Sequence, residues 1–474
     1  MQRLLEQPQQ QHQTAFIDIA KENTFPFILV ILGLQISIYL FETYAKGRQL
    51  RNFSVKERPK EVSFVKQEEF AKSQSHSRDM LGFKMHKEYQ EQFSQIILWY
   101  FKIPAILWGF CGTVLDKFGI IRDSTGIHND IYQGAIFLLI VWVYSEIEGL
   151  SWTLYNTFII KENHGFNKMT LGLFFGDKFK STILLMLFGS TIYYGLMKII
   201  EWAGTDFYWY VLGFFVSFIL ISVNIIPNFI MPLFNKYDPL PPGELREKIE
   251  DIAKEISFPL TEIYVVDASK RSAHSNAYYF GFGNNKRIVL FDTLLEQHQG
   301  EQGILEIASI VKHELGHWYL MHPLQMMAVS ILNLALMFKV FDLILNNKEL
   351  NRSILANMGF GHESVFISLL IFTKLYETIS WFTQLTQVMI SRKFEFQADQ
   401  FAGPKYKFHL AKALIKVHVK NASNLNPDPL YASLTFSHPQ LTERIKALGY
   451  EDGQEFQSLL DEQEKAPQKE VSIN

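Results

Sequence analysis

The chain has 474 residues, a net charge of −3 and one cysteine, Cys111. That charge gives no case for nucleic acid as a partner, and a single cysteine excludes an intrachain disulfide scaffold. Hydrophobic residues make up 48% and aromatics 15%, with 41 Phe, an apolar load that points to a membrane protein rather than a soluble enzyme.

Residues 1–23 read as a polar, Gln-rich tail. Residues 24–235 hold five apolar stretches long enough to span a bilayer: 24–41, about 93–115, about 131–160, 181–197 and 207–235. Residues 236–322 read as a soluble insert. Glu244–Ile256 is patterned as an amphipathic helix, and Ile263–Asp267, Asn276–Phe280 and Arg287–Phe291 as short strands. Residues 323–391 supply two more spans, 323–338 and 364–391. Residues 392–450 read as polar helices, and 451–474, rich in Glu, Gln and Lys, as a disordered tail. Three spans carry charge: Lys102, then Glu146 and Glu148, then Lys374 and Glu377. Charges at membrane depth face the bundle interior, so these predict an internal wet cavity. The loop after the first span is by far the most basic and is expected in the cytosol. Counting seven spans forward puts the N-terminus in the lumen. The 236–322 insert and the segment after residue 391 then share the cytosolic side.

The last helix of the insert contains His313-Glu314-Leu315-Gly316-His317. Residues four apart share a helical face, so both imidazoles can reach one Zn²⁺, with Glu314 beside them as general base and acid. Such a motif arises by chance in roughly one or two percent of chains this long, so a third ligand is needed to give it weight. Past the last span, Glu395 and Asp399 are again four apart. Glu395 can complete a two-His, one-Glu set that leaves a fourth position open, and Asp399 can fix the tautomer of a ligating His. The competing reading is a solvated helix face neutralised by Arg392 and Lys393.

Several stretches together resemble one family: Leu154-Tyr155-Asn156-Thr157-Phe158, His164-Gly165-Phe166-Asn167, Ser269–Ser272 running to His274-Ser275-Asn276-Ala277-Tyr278, Lys286–Leu294, His313–Trp318, Phe394–Asp399, and Ser437-His438-Pro439 with Glu443-Arg444. The chain is similar to the type I CAAX prenyl proteases, integral-membrane zinc endopeptidases of the endoplasmic reticulum and nuclear inner membrane. Lys161-Glu162-Asn163 departs from the more acidic form expected there, and the polar N-terminal and acidic C-terminal tails have no counterpart in the family.

The resemblance implies an α-helical integral membrane protein. Seven helices would surround a water-filled intramembrane chamber, capped by a cytosolic gluzincin-like α+β metalloprotease domain. It implies one Zn²⁺ on His313, His317 and Glu395, with Glu314 catalytic. Asn276 and Ala277 would hold extended substrate on a strand edge. His438 matches a family histidine with a second-shell or oxyanion role, although Ser437-His438-Pro439 reads equally as a turn with a helix N-cap. Arg444 is left between pairing with Asp399 or Glu395 and binding substrate. The implied substrates are farnesylated CAAX proteins or peptides in contact with membrane lipid, losing their terminal tripeptide, with a second cleavage further upstream. A broader quality-control protease and a non-enzymatic transporter or scaffold with structural zinc are the rival readings.

Overall fold

The computed structural model describes residues 26–120, 129–450 and 456–460. The tail predicted over 1–23 lies outside the described residues. The chain opens with α1 (Phe27–Asn52), α2 (Gln67–Tyr100) and α3 (Ile103–Lys117). Next come α4 (Asp130–Tyr155), which runs on as a π-turn through Lys161, then α5 (Leu171–Ala203) and α6 (Phe207–Ile225).

The soluble insert supplies β1 (Tyr237–Pro239), α7 (Glu244–Glu255), β2 (Leu260–Val266), β3 (Ala277–Phe282), β4 (Asn285–Phe291), α8 (Asp292–Gln297) and α9 (Gly300–Tyr319). The chain closes with α10 (His322–Asn346), α11 (Lys348–Asn357), α12 (Val365–Phe401), α13 (Gly403–Lys420), α14 (Pro429–Thr435) and α15 (Leu441–Ala447).

Among the described residues, five helical stretches are long and apolar enough to cross a membrane: 27–52, 130–161, 171–233, 322–346 and 365–401. The pair α2–α3 passes jointly, bent by 66°. The bend falls inside the second predicted span, at the interruption by Lys102 and Pro104. Lys102 takes a left-handed conformation (φ 54°), and Pro104 has no N–H to give the carbonyl of Tyr100. The 171–233 stretch would measure roughly 95 Å if straight, about three bilayer cores. It turns instead at Gly204–Asp206, and Leu196 and Ile200 of α5 share an apolar cluster with Phe207 and Val211 of α6.

Two of the three charged spans pair one of their charges. Lys374 is buried and lies 2.7 Å from Glu377, while Glu146 meets Lys178 at 2.6 Å. Between α1, α2 and α12 lies a cavity of about 270 Å³, lined by polar groups that include Glu42, Glu88, Gln92, Lys374 and Glu377.

The insert folds around a four-stranded sheet in the order β1-β2-β4-β3. β2 and β4 are parallel, and the other pairs are antiparallel. A two-residue turn, Gly283-Asn284, joins β3 to β4, and Gly283 supplies the positive φ (56°) that such a turn demands. β3 therefore sits at the sheet edge with one side unpaired. One apolar core, with Ile249, Ile263, Leu290, Ile307, Leu315 and Leu410 at its centre, joins α7, the sheet, α9 and α13.

Two sequence expectations need adjustment. β1 was not anticipated, because three residues ending in Pro carry no strand signal. Within the tail read as disordered, residues 456–460 are helical and Phe456 is fully buried against Phe64, Phe408 and Tyr450. One large aromatic outweighs the polar composition around it, since burying such a ring contributes about 2–3 kcal/mol.

Candidate metal centre

His313 and His317 lie one turn apart on α9, on the face that meets α12. The approach of these helices is close because Gly316 faces Phe401, where an added Cβ would fall 3.0 Å from a ring carbon. The two imidazoles turn their Nε2 atoms toward each other at 3.2 Å. Glu395 of α12 reaches between them, with Oε2 3.6 Å from His313 Nε2 and Oε1 3.4 Å from His317 Nε2. All three ligand atoms lie within 4.8 Å of one another.

Zinc–nitrogen and zinc–oxygen bonds of about 2.0–2.2 Å in a tetrahedron set their donor atoms roughly 3.3–3.5 Å apart, so these separations suit one shared ion. Glu395 Oε2 is also buried without a hydrogen bond among the described residues; its contacts to Arg444 Nη1 at 3.4 Å and His313 Nε2 at 3.6 Å are too long to replace one, so a nearer cation would relieve it. The donor set therefore fits a metal of zinc type.

The far side of His313 faces Asp399, with Nδ1 2.9 Å from Oδ1. Arg444 of α15 clamps Asp399 from behind, Nε donating to Oδ2 at 2.8 Å and Nη2 to Oδ1 at 2.6 Å. Its Nη1 lies 3.4 Å from Glu395 Oε2. Of the options the sequence left open for Arg444, the structure thus shows pairing with both carboxylates. Burial opposes the Arg444 charge, but the Asp399 hydrogen bonds more than offset it and hold the guanidinium above its ordinary pKa.

Glu314 faces the same space. Burial pushes its carboxyl above the usual range, while His313 and His317 pull the other way. His438, in the loop before α15, brings Nε2 to 3.3 Å from Glu395 Oε1, and its side chain stays 62% exposed.

Asn276 and Ala277 stand slightly apart. Ala277 opens β3, and Asn276 precedes it with its carbonyl accepting from Phe291 N. Among the described residues neither hydrogen-bonds to the histidine cluster. The strand they begin does lead to it, because β3 packs on α9. Tyr279, on the same strand face as Ala277, has its hydroxyl pKa raised by burial and by the charge on Glu314.

One neighbour escaped the sequence reading. His322, the first residue of α10, brings its Nδ1 to 3.0 Å from His317 Nδ1. The two are five apart across a helix break, a spacing that carries no periodic signal.

With this geometry in hand, the relatives are informative. A family model described as "CAAX prenyl protease N-terminal, five membrane helices" matches residues 49–236, and one described as "Peptidase family M48" matches 239–452. The Arabidopsis thaliana "CAAX prenyl protease 1 homolog" is 39% identical over 430 residues, covering 90% of this chain and 98% of the relative. The chain belongs to the CAAX prenyl protease family, within peptidase family M48. The Saccharomyces cerevisiae "CAAX prenyl protease 1" is 34% identical over 91% of this chain and 97% of its own. The crystal structure of S. mikatae Ste24p superposes with a TM-score of 0.82 at 34% identity, over 90% of this chain and all of that one. The protein is accordingly a multi-pass membrane metalloprotease. A five-helix N-terminal membrane domain is joined to a protease domain built on a small sheet.

Proposed function

We propose that this enzyme is a zinc endopeptidase that releases the C-terminal tripeptide of farnesylated CAAX proteins, with a second upstream cut on some of them. One observation carries the reading. A His313-His317-Glu395 set, two of its members buried and His317 partly so, is donated by two separate helices beside an unpaired strand edge on a membrane helix bundle. The relatives' names supply the substrate class.

When bound to His313, His317 and Glu395, zinc supplies Lewis acidity, polarising the scissile carbonyl and making water acidic near neutrality. The chain does the rest. Glu314 accepts a proton from the attacking water at a carboxylate oxygen and returns it to the leaving amine. The free edge of β3 binds extended peptide through backbone groups from Ala277 on, with the Asn276 side chain beside it, and so tolerates varied side chains. His438 Nε2 is open to the substrate and donates to the oxygen that gains charge in the transition state. Asp399 and Arg444 touch no substrate; they hold His313 and Glu395 in place.

Seven spans around a wet chamber are the arrangement we favour. The paired charges, the open pocket beside α12 with its charged lining residues and the turn at Gly204 support it. The active site then faces the cytosol, the N-terminus the lumen, and the membrane is that of the endoplasmic reticulum, with the nuclear inner membrane continuous with it. In cells, Asn421, in the sequon Asn421-Ala422-Ser423, should carry no glycan, read as an unchanged gel mobility after endoglycosidase treatment. Its side chain already accepts from Ser275 N at 3.1 Å beside the catalytic domain. A glycan on it would overturn the orientation.

The deciding experiment offers the purified enzyme a farnesylated C-terminal peptide and its unprenylated twin. Tripeptide release from the farnesylated peptide alone establishes the activity. Equal cleavage of both would favour a quality-control protease, and cleavage of neither with zinc bound a structural site.

A further inference from the structure

His322 is 98% removed from solvent, and its imidazole has two polar contacts, both in line with the metal centre. Nδ1 lies 3.0 Å from Nδ1 of His317, and Nε2 lies 3.0 Å from Oε1 of Gln397 on α12. Its ring stacks on Phe394, with centroids 4.0 Å apart and planes 7° from parallel. Met321, immediately before it, is held in a left-handed conformation (φ 58°) that non-glycine residues seldom adopt. This turn sets the first residue of α10 back against the last turn of α9. Strain of that kind persists only where the surroundings over-determine it.

We propose that Gln397 and His322 form a relay that fixes the tautomer and orientation of His317, making His322 a positioning residue of the metal centre. The inference rests on the metal reading of His313, His317 and Glu395. Its logic is a proton count. Between two Nδ1 atoms 3.0 Å apart there is room for one hydrogen. If it sits on His322, then His317 is protonated at Nε2, the atom that faces the ligand cluster, and that nitrogen has no lone pair to give. If it sits on His317, Nε2 of His317 is free for a metal, and His322 must be protonated on its own Nε2. The carbonyl oxygen of Gln397 accepts that second hydrogen. Only the second arrangement agrees with both the Gln397 contact and a ligating His317.

The relay completes a symmetry of supply. α12 contributes a ligand at Glu395, the partner of His313 at Asp399 and, two residues before it, the partner of His322 at Gln397. One helix therefore orients both imidazoles, and an amide carbonyl does on one side what a carboxylate does on the other. His322 is not a fourth ligand. Its Nδ1 meets the far nitrogen of His317, and its Nε2 points away to α12.

Zinc retention by purified full-length protein tests the proposal without reference to peptide cleavage. Zinc per chain is measured after equilibration with a chelator of graded strength, and the thermal midpoint confirms folding. His322→Phe keeps the stacked ring but has no nitrogen. His322→Asn places an amide oxygen near the position of Nδ1. The expected result is a zinc affinity about 10–100-fold weaker for His322→Phe and His322→Ala, with His322→Asn restored to nearly wild-type retention. Gln397→Met should move the affinity in the same direction by less. Substituting Co²⁺ should show an altered visible absorption in His322→Phe, because His317 no longer holds one orientation.

Wild-type zinc retention in folded His322→Phe would overturn the proposal, since packing alone would then suffice. So would His322→Asn as weak as His322→Ala, since no acceptor would then be at work. A wild-type chain that holds no zinc would overturn the metal reading itself, and this relay with it.

Discussion

Replacing Glu314 with Ala is expected to lower kcat for the farnesylated peptide by about 10²–10⁴-fold, the usual contribution of a positioned general base. Zinc per chain should remain at the wild-type value. The two effects separate because Glu314 is not among the three donors; its neighbours on the helix are. Removing it also takes a carboxylate of raised pKa out of the cluster, so the variant should fold at least as well as the parent. Glu314→Gln is a useful companion, because it preserves shape and polarity and abolishes only proton transfer. Single-turnover kinetics on zinc-loaded protein make the measurement. Cleavage by Glu314→Ala within a few-fold of wild type would remove Glu314 from the mechanism.

Arg444→Ala should be the most damaging single change for stability. Arg444 is 4% exposed, Asp399 1% and Glu395 5%, so two carboxylates and one guanidinium are packed together away from water. Deleting one partner of such a buried pair typically costs about 3–5 kcal/mol, because the remaining charge is left without compensation. Here both Asp399 and Glu395 lose their cation. The loss should be largest in metal-free protein and smaller with zinc bound, since a divalent cation beside Glu395 neutralises part of what Arg444 did. Denaturation midpoints of both forms, with and without zinc, read this directly. Equal losses in the two forms would mean that Arg444 serves packing only and does not share charge with the site.

The His313-His317-Glu395 cluster was legible where geometry follows helical periodicity. His313 with His317, and Glu395 with Asp399, are each four apart on continuous helices, and a rule of one turn suffices to place them. Arg444 could be named but not assigned. Its partner is set by how α15 packs on α12, and no local spacing encodes that. His322 and Gln397 were illegible for a related reason. One sits beyond a break forced by a left-handed methionine, and the other is an unremarkable Gln on a polar face.

For the fold, apolar runs fall on the long apolar helices, but their limits differ from the helix limits. α2 begins at Gln67, deep in a stretch whose Lys and Glu content reads as a loop, because a helix that packs Phe70 and Leu81 inward can be polar elsewhere. α12 runs on unbroken from an apolar stretch into a polar one, so composition marks a boundary where the backbone has none.

Between the two histidines on α9 and Glu395 near the end of α12, the chain makes two long apolar helices, α10 and the first part of α12. On the metal reading and the topology proposed above, a nascent chain that has just finished α9 carries two of three ligands and cannot hydrolyse anything. Competence would arrive only once the intervening hairpin is inserted and returns the polypeptide to the side from which it left. A misinserted chain would leave the carboxylate across a bilayer from the imidazoles and stay inert. Such a protease would be safeguarded during its own biosynthesis, inactive until its topology is correct.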